Sequence, residues 1–129
     1  MKKILIVEDN KELLELLTVF FEKYNCKVYP AYSAVEVEKI LKNEEKTFEL
    51  VISDIKLTDF DGYELLKDLK RKGFFKNTPI IIISALTKNM NKSEEELARM
   101  LNVNAFLSKP FSLKRLEKVL SNIGFLKSE

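Results

Sequence analysis

The sequence has no histidine and only one cysteine, Cys26, in 129 residues. A single cysteine cannot form a disulfide within the chain, and the usual ligands of zinc and other transition metals are almost entirely missing. Any metal ion bound by this chain is therefore expected to be held by oxygen atoms, as magnesium and calcium are.

Long hydrophobic runs and an excess of one charge are also missing. The apolar stretches are far shorter than the ~20 residues that a membrane-spanning helix needs. Met1-Lys2-Lys3 leads into only four apolar residues, too few for a signal peptide. The 22 basic and 20 acidic residues leave a net charge of +2 that is spread along the chain. These observations indicate neither a nucleic-acid nor a membrane partner and predict a cytoplasmic protein.

The composition, 46% hydrophobic and 33% charged, is typical of one soluble domain, expected to span residues 1–129. Short apolar runs alternate with amphipathic windows of helix length, and the runs themselves show no polar alternation, which predicts strands covered by helices on both faces. Predicted strands lie at 3–7, 26–29, 50–54, 80–83 and 105–108. Right-handed crossovers favour a doubly wound, flavodoxin-like (βα)5 parallel sheet in the order 2-1-3-4-5.

Residues that commonly cap helices flank the helical windows. Asn10 is the expected N-cap of a helix over 11–24, whose sheet-facing residues are predicted to be Leu13, Leu17, Phe20, Phe21 and Tyr24. Capping boxes are predicted at Ser33 with Glu36, Asp61 with Glu64 and Ser93 with Glu96, and Ser112 is the expected cap of the last helix. Gly73, Asn102 and Gly124 are the expected ends of helices three, four and five.

Four of the apolar runs end in residues suited to phosphoryl chemistry. These residues are Glu8-Asp9, Asp54, Ser84 and Lys109. Because the carboxyl ends of parallel strands share one edge of the sheet, the four positions are expected to converge there. In the order 2-1-3-4-5, the topological switch point of the sheet lies between strands one and three, where Glu8, Asp9 and Asp54 are located.

Three carboxylates at one edge repel each other unless a cation joins them. Magnesium fits best, because it prefers oxygen ligands and commonly bridges one or two carboxylates to a phosphate. Asp54 can then act as a nucleophile toward a phosphoryl donor, forming an aspartyl phosphate. Lys109 can stabilise charge on the phosphoryl oxygens, and the Ser84 hydroxyl can donate to the same oxygens.

Further motifs accompany these residues at characteristic places. They are Gly62 eight residues after Asp54, Ala85 directly after Ser84, Phe106, and Pro110-Phe111 directly after Lys109. Together with the acidic pair, the set resembles the receiver domain of bacterial two-component response regulators, over nearly the whole chain. The resemblance implies the flavodoxin-like fold and a role as a phosphorylation switch rather than as a metabolic enzyme.

The resemblance also implies roles for individual residues. Asp54 would be the phosphoacceptor, and Mg²⁺ would be bound by Glu8, Asp9, Asp54 and the backbone carbonyl of Lys56. Ser84 and Phe106 would be coupled switch residues. Lys109 would bind the phosphoryl group and precede a cis peptide bond to Pro110.

The resemblance implies a sensor histidine kinase or a histidine phosphotransfer protein as the phosphoryl donor, since the chain has no histidine of its own to relay through. It also implies a downstream effector protein or domain. The effector surface would be formed by helix four, strand five and helix five. Asn104-Ala105 replaces the acidic pair of regulators that dimerise through this surface, which weakens the prediction of such a dimer. The chain ends shortly after helix five, and either a stand-alone regulator or the receiver portion of a longer protein is compatible with it.

The alternatives to this function are a phosphohydrolase and a pseudo-receiver. Asp59-Phe60-Asp61-Gly62 resembles the nucleophile motif of haloacid-dehalogenase-type phosphohydrolases, but Asp59 does not end an apolar strand and Tyr63 replaces the expected threonine. We interpret Asp61 as a helix cap. A pseudo-receiver, a binding module that is not phosphorylated, is disfavoured because the acidic set and the lysine are complete.

Overall fold

Strands and helices alternate along the part of the chain that the structure, a computed structural model, describes: residues 1–43, 48–56, 61–85 and 91–126. The strands are β1 (Lys2–Val7), β2 (Cys26–Ala31), β3 (Leu50–Asp54), β4 (Ile80–Ser84) and β5 (Ala105–Ser108). The helices are α1 (Lys11–Glu22), α2 (Ala34–Asn43), α3 (Gly62–Arg71), α4 (Glu94–Leu101) and α5 (Leu113–Asn122).

The five strands form one parallel sheet in the order β2-β1-β3-β4-β5, which confirms the predicted fold. The register pairs Val7 with Ser53 and Asp54 with Ile83, so the carboxyl ends of β1, β3 and β4 stand level with one another. This register brings the residues that follow or end these strands to one edge of the sheet.

Apolar side chains cover both faces of the sheet, as the lack of polar alternation predicted. On one face, Val7, Ile82 and Phe106 belong to a core shared with α2, α3 and α4. On the other face, Ile6 and Ile83 belong to a core shared with α1 and α5. Helices therefore hold the strand ends in fixed positions from both sides.

Helix α1 differs from its prediction at its carboxyl end. It ends at Glu22 rather than at residue 24, and Tyr24 is 42% exposed instead of packing on the sheet. Its hydroxyl donates to the Glu117 carboxylate at 2.6 Å. Tyr24 thus links α1 to α5 at the surface, and periodicity alone placed it on the wrong side.

The predicted N-caps are confirmed at the helix starts. The side chains of Asn10, Asp61, Ser93 and Ser112 accept hydrogen bonds from first-turn N–H groups. Ser93 and Glu96 form a complete capping box. The other two boxes are half formed: the Glu36 carboxylate accepts from the Tyr32 N–H, and the Glu64 carboxylate pairs with Lys67.

The predicted ends of the later helices also agree with the structure. Asn102 follows α4 in the left-handed conformation, with φ of 55°, and Gly73 and Gly124 have positive φ just beyond α3 and α5. Among the described residues, no helix has both the length and the apolar character needed to cross a bilayer.

Candidate functional site

The carboxyl edge of the sheet brings together the residues that the sequence singled out. Glu8 directly follows β1, Asp54 ends β3, Ser84 ends β4 and Lys109 directly follows β5. Glu8 is fully buried, and Asp54 and Ser84 are 8% and 2% exposed. Polar groups are rarely buried to this degree without partners, so their placement calls for specific contacts.

The acidic residues form a compact cluster. One carboxylate oxygen each from Glu8, Asp9 and Asp54 lie within 4.8 Å of one another. Asp9 is exposed, so the cluster opens to solvent on one side. A set of three carboxylate oxygens at this spacing has the chemistry that a hard divalent cation prefers.

Lys109 provides the positive charge opposite this cluster. Its ammonium nitrogen lies 2.6 Å from Asp54 Oδ2 and 2.7 Å from Glu8 Oε1. Burial alone would lower the pKa of Lys109, but the hydrogen bond to Asp54 and the attraction of Asp54 and Glu8 outweigh burial and raise it. The Lys109 side chain is therefore positively charged at neutral pH. The Lys109–Pro110 peptide bond is cis, as the resemblance implied.

The two oxygens of the buried Glu8 carboxylate have different surroundings. Its Oε2 accepts from the Asn10 N–H at 2.9 Å, whereas its buried Oε1 accepts no hydrogen bond from the described residues. Lys109 is within ion-pairing distance of Oε1 but outside hydrogen-bonding geometry. Burial raises the pKa of Glu8, although Lys109 and the Asn10 N–H counteract it in part. A buried carboxylate oxygen that meets only the Lys109 ammonium among the described residues fits a magnesium ion at this cluster.

The backbone around Asp54 holds its carboxylate toward the cluster. The Lys56 N–H donates to Asp54 Oδ1 at 3.1 Å, and Oδ2 is the atom that meets Lys109. Gly62, the first residue of α3, lies so close that a Cβ atom there would be 2.1 Å from the Asp54 carbonyl oxygen. In the sequence Gly62 stands out only as part of the family motif, and this contact supplies its physical reason.

Ser84 and Phe106 lie on the same face of the sheet. Phe106 of β5 is paired with Ile82 of β4, and Ser84 lies two residues after Ile82 on the same strand. Because side chains two residues apart on a strand point to the same face, Ser84 and Phe106 share a face of the sheet. Phe106 is 3% exposed and belongs to the core that includes Leu97 and Ala98 of α4. Ser84 and the Phe106 ring therefore lie on the face of the sheet that α4 covers.

Asp61 is a helix cap, as interpreted from the sequence. Its Oδ1 accepts from the Tyr63 and Glu64 N–H groups at 2.9 and 3.1 Å. Asp59, the other acid of the hydrolase alternative, and Thr58 lie outside the described residues. The backbone carbonyl of Lys56 remains a predicted ligand.

Comparison with known proteins agrees with this fold. Residues 4–121 match the family model of the response regulator receiver domain. The nisin biosynthesis regulatory protein NisR of Lactococcus lactis subsp. lactis is 32% identical over 124 residues, which are 94% of this chain and 50% of that protein. The chain spans about half the length of the curated relatives it matches.

Solved receiver domains have the same architecture. The non-phosphorylated HemR receiver domain of Leptospira biflexa is 28% identical with a TM-score of 0.80, covering 100% of this chain and 98% of that one. The BeF3-activated N-terminal receiver domain of RstA from Klebsiella pneumoniae is 27% identical with a TM-score of 0.70, covering 92% and 98%.

This chain belongs to the receiver domain family of the two-component response regulators. Members of this family act in signalling rather than in metabolic catalysis. The comparisons lend no support to the phosphohydrolase alternative, because the matched family and the relatives are response regulators.

Proposed function

We propose that Asp54 of this chain accepts a phosphoryl group in a magnesium-dependent reaction and thereby switches the surface formed by α4, β5 and α5. The observation that supports Asp54 is its position: its carboxylate lies within 4.8 Å of the Glu8 and Asp9 oxygens and 2.6 Å from the Lys109 ammonium. Among the described residues, only the Glu8, Asp9 and Asp54 side chains form such an acidic cluster.

Each residue has a distinct part in the transfer. An Asp54 carboxylate oxygen attacks phosphorus, and the bond between phosphorus and the donor atom breaks, leaving an acyl phosphate. Lys109 then pairs with a phosphoryl oxygen as well as with the acidic cluster, stabilising the charge in transfer. Ser84, at the end of the neighbouring strand, donates its hydroxyl to another phosphoryl oxygen.

A magnesium ion would be held by Glu8, Asp9, Asp54 and the Lys56 carbonyl, and when bound it would offset the charge of the carboxylates and of the incoming phosphoryl group. The buried Glu8 Oε1, which accepts no hydrogen bond in good geometry and meets only the Lys109 ammonium among the described residues, supports this ligand set. The related RstA receiver domain is described as BeF3-activated, which supports activation of this chain by a small anionic group.

The donor in the cell would be a phosphohistidine on a sensor kinase or a phosphotransfer protein. The partner on the output side would be an effector protein or domain that distinguishes the two states of the α4, β5 and α5 surface.

The test is labelling with magnesium and acetyl phosphate, followed by intact-mass measurement. We expect one added phosphoryl group that is labile at alkaline pH, and no addition in Asp54→Asn, which keeps the shape of the side chain but removes the nucleophile. Chelation of the metal should prevent labelling. Asp61→Asn is the matched control and should be labelled like the parent. Labelling that persists in Asp54→Asn would refute the assignment, and no labelling of the parent would favour the pseudo-receiver.

A further inference from the structure

A partly buried contact joins the first residue of α4 to the last residue of β5. The Ser108 N–H and the Ser108 hydroxyl both donate to Glu94 Oε2, each at 2.7 Å. The other oxygen of the same carboxylate pairs with the Arg115 guanidinium of α5. One carboxylate thus connects α4, β5 and α5.

The position of β5 in the sheet explains why Glu94 is bound there. β5 is the last strand of the sheet order, so its outward N–H groups have no strand to bond. The Lys109 N–H points inward and donates to the Ser84 carbonyl at 2.8 Å. The preceding N–H, on Ser108, points outward and is satisfied by Glu94. Two successive amides therefore fix the end of β5 from both sides.

This contact is stronger than an ordinary surface ion pair. Exposed pairs of opposite charge contribute little to stability, but the Glu94 side chain is only 18% exposed, and its hydrogen bonds are assisted by its charge. Burial would raise the pKa of Glu94, but the Ser108 hydrogen bonds and Arg115 outweigh burial and lower it. The carboxylate therefore stays ionised and bound at neutral pH.

We propose that Glu94 is a positioning residue: it holds the Lys109 end of β5 through Ser108 and joins that end to α4 and α5, so that the three elements respond together to phosphorylation. The inference rests on the proposed function of Asp54 for its signalling consequence. Its structural part, the fixing of Ser108 and Lys109, is independent of phosphorylation.

The first test is amide hydrogen exchange of the unphosphorylated chain, comparing Glu94→Ala with Glu95→Ala. Glu95 is exposed, lies on the same turn and carries the same charge. In Glu94→Ala we expect the Ser108 and Lys109 amides to exchange about tenfold faster, with parent rates in Glu95→Ala. Parent exchange rates in Glu94→Ala, or equal acceleration in both variants, would overturn the proposal.

Ser108→Ala keeps the first test decisive if Glu94→Ala is too unstable to study. It removes only the hydroxyl contact and leaves the Ser108 N–H bond in place, so we expect a smaller acceleration, about threefold, at the Lys109 amide. An unchanged Lys109 amide in Ser108→Ala would count against the proposal.

The second test measures labelling by acetyl phosphate alongside magnesium affinity. Glu94→Ala should be labelled about threefold to tenfold more slowly, because Lys109 is less well placed, while its magnesium affinity should not fall below the parent value, because Glu8, Asp9 and Asp54 are untouched. Arg115→Met should be labelled at the parent rate but lose the change in α5 amide exchange on phosphorylation.

If the parent itself is not labelled, the proposed function fails and the exchange test alone decides the role of Glu94. A parent labelling rate and an intact α5 response in Glu94→Ala would overturn the positioning role.

Discussion

The ammonium of Lys109 lies 2.6 Å from the Asp54 carboxylate, although 55 residues separate the two in the chain. The same ammonium lies 2.7 Å from Glu8 Oε1. Lys109 and a bound cation are therefore attracted to the same carboxylate oxygens, and each weakens the hold of the other.

Replacement of Lys109 by methionine is expected to separate metal binding from phosphoryl transfer. Because a competing positive charge is removed, Lys109→Met should bind magnesium more tightly, by roughly tenfold, as measured by calorimetric titration. Labelling by acetyl phosphate should nevertheless be slower, by about a hundredfold, because no ammonium stabilises the transferred group. Lys114→Met, at an exposed position on α5, should match the parent in both measurements. Weaker magnesium binding in Lys109→Met would contradict this account.

Gly62→Ala is expected to damage the site without touching any of its charged groups. The new Cβ atom would stand 2.1 Å from the Asp54 carbonyl oxygen, a backbone atom that cannot move without displacing the acceptor. We expect a loss of about 1–3 kcal/mol of stability in urea denaturation, together with slower labelling of Asp54.

Gly124→Ala is the control for this substitution. It places a side chain where φ is 81° but nothing lies within 4 Å, so it should cost about 1–2 kcal/mol of backbone strain and leave labelling at the parent rate. If Gly62→Ala were labelled as fast as Gly124→Ala, the close approach of α3 would not matter to the acceptor.

The convergence of the site could be predicted from the sequence because it depends only on strand order. Once the apolar runs are parallel strands, the residues that end them must meet at one edge, and Glu8, Asp54 and Lys109 do so. The contact between Glu94 and Ser108 was not predicted. Glu94 looks like an ordinary acidic residue in the first turn of a helix, and only the packing of α4 beside the outer edge of β5 shows what its carboxylate binds.

Tyr24 shows the opposite error. It continues the apolar spacing of α1, but the helix ends at Glu22, and the changed chain direction turns the ring outward. Periodicity assigns a residue to a face only while the helix lasts, and helix ends are the least certain part of a prediction.

Ser84→Ala is expected to separate acceptance of the phosphoryl group from its structural consequence. Ser84 shares a face of the sheet with Phe106. Because the Phe106 ring has no hydroxyl, its position can affect its neighbours only through packing. The variant should still be labelled on Asp54, with a rate within about tenfold of the parent. Its Phe106 ring and the amides of α4 should show little of the NMR shift change that phosphorylation produces in the parent. A full parent-like response in Ser84→Ala would show that the hydroxyl is not the link.

The bonds of Glu94 should make stability depend on pH in one direction. The pKa of Glu94 is lowered in the folded chain, because the Ser108 hydrogen bonds and the Arg115 pair outweigh the opposing effect of burial. The unfolded chain then binds the proton more readily, so this carboxylate adds stability above its ordinary pKa of about 4.3. That contribution is lost as the pH falls through the lowered pKa of the folded state.

The measurement is urea denaturation of the parent and of Glu94→Gln at neutral and at acidic pH. At about pH 7 the parent should be more stable by about 1–2 kcal/mol, since hydrogen bonds to a charged group are replaced by weaker ones. The difference should shrink toward zero as the pH falls through the lowered pKa of the folded state, because the carboxyl group then becomes protonated in both states. Glu95→Gln, which removes a charge from the exposed neighbour, should stay within about 0.5 kcal/mol of the parent at neutral pH. A difference for Glu94→Gln that grew on acidification would show that Glu94 is held mainly in its neutral form, and the ionised contact to Ser108 and Arg115 would have to be abandoned.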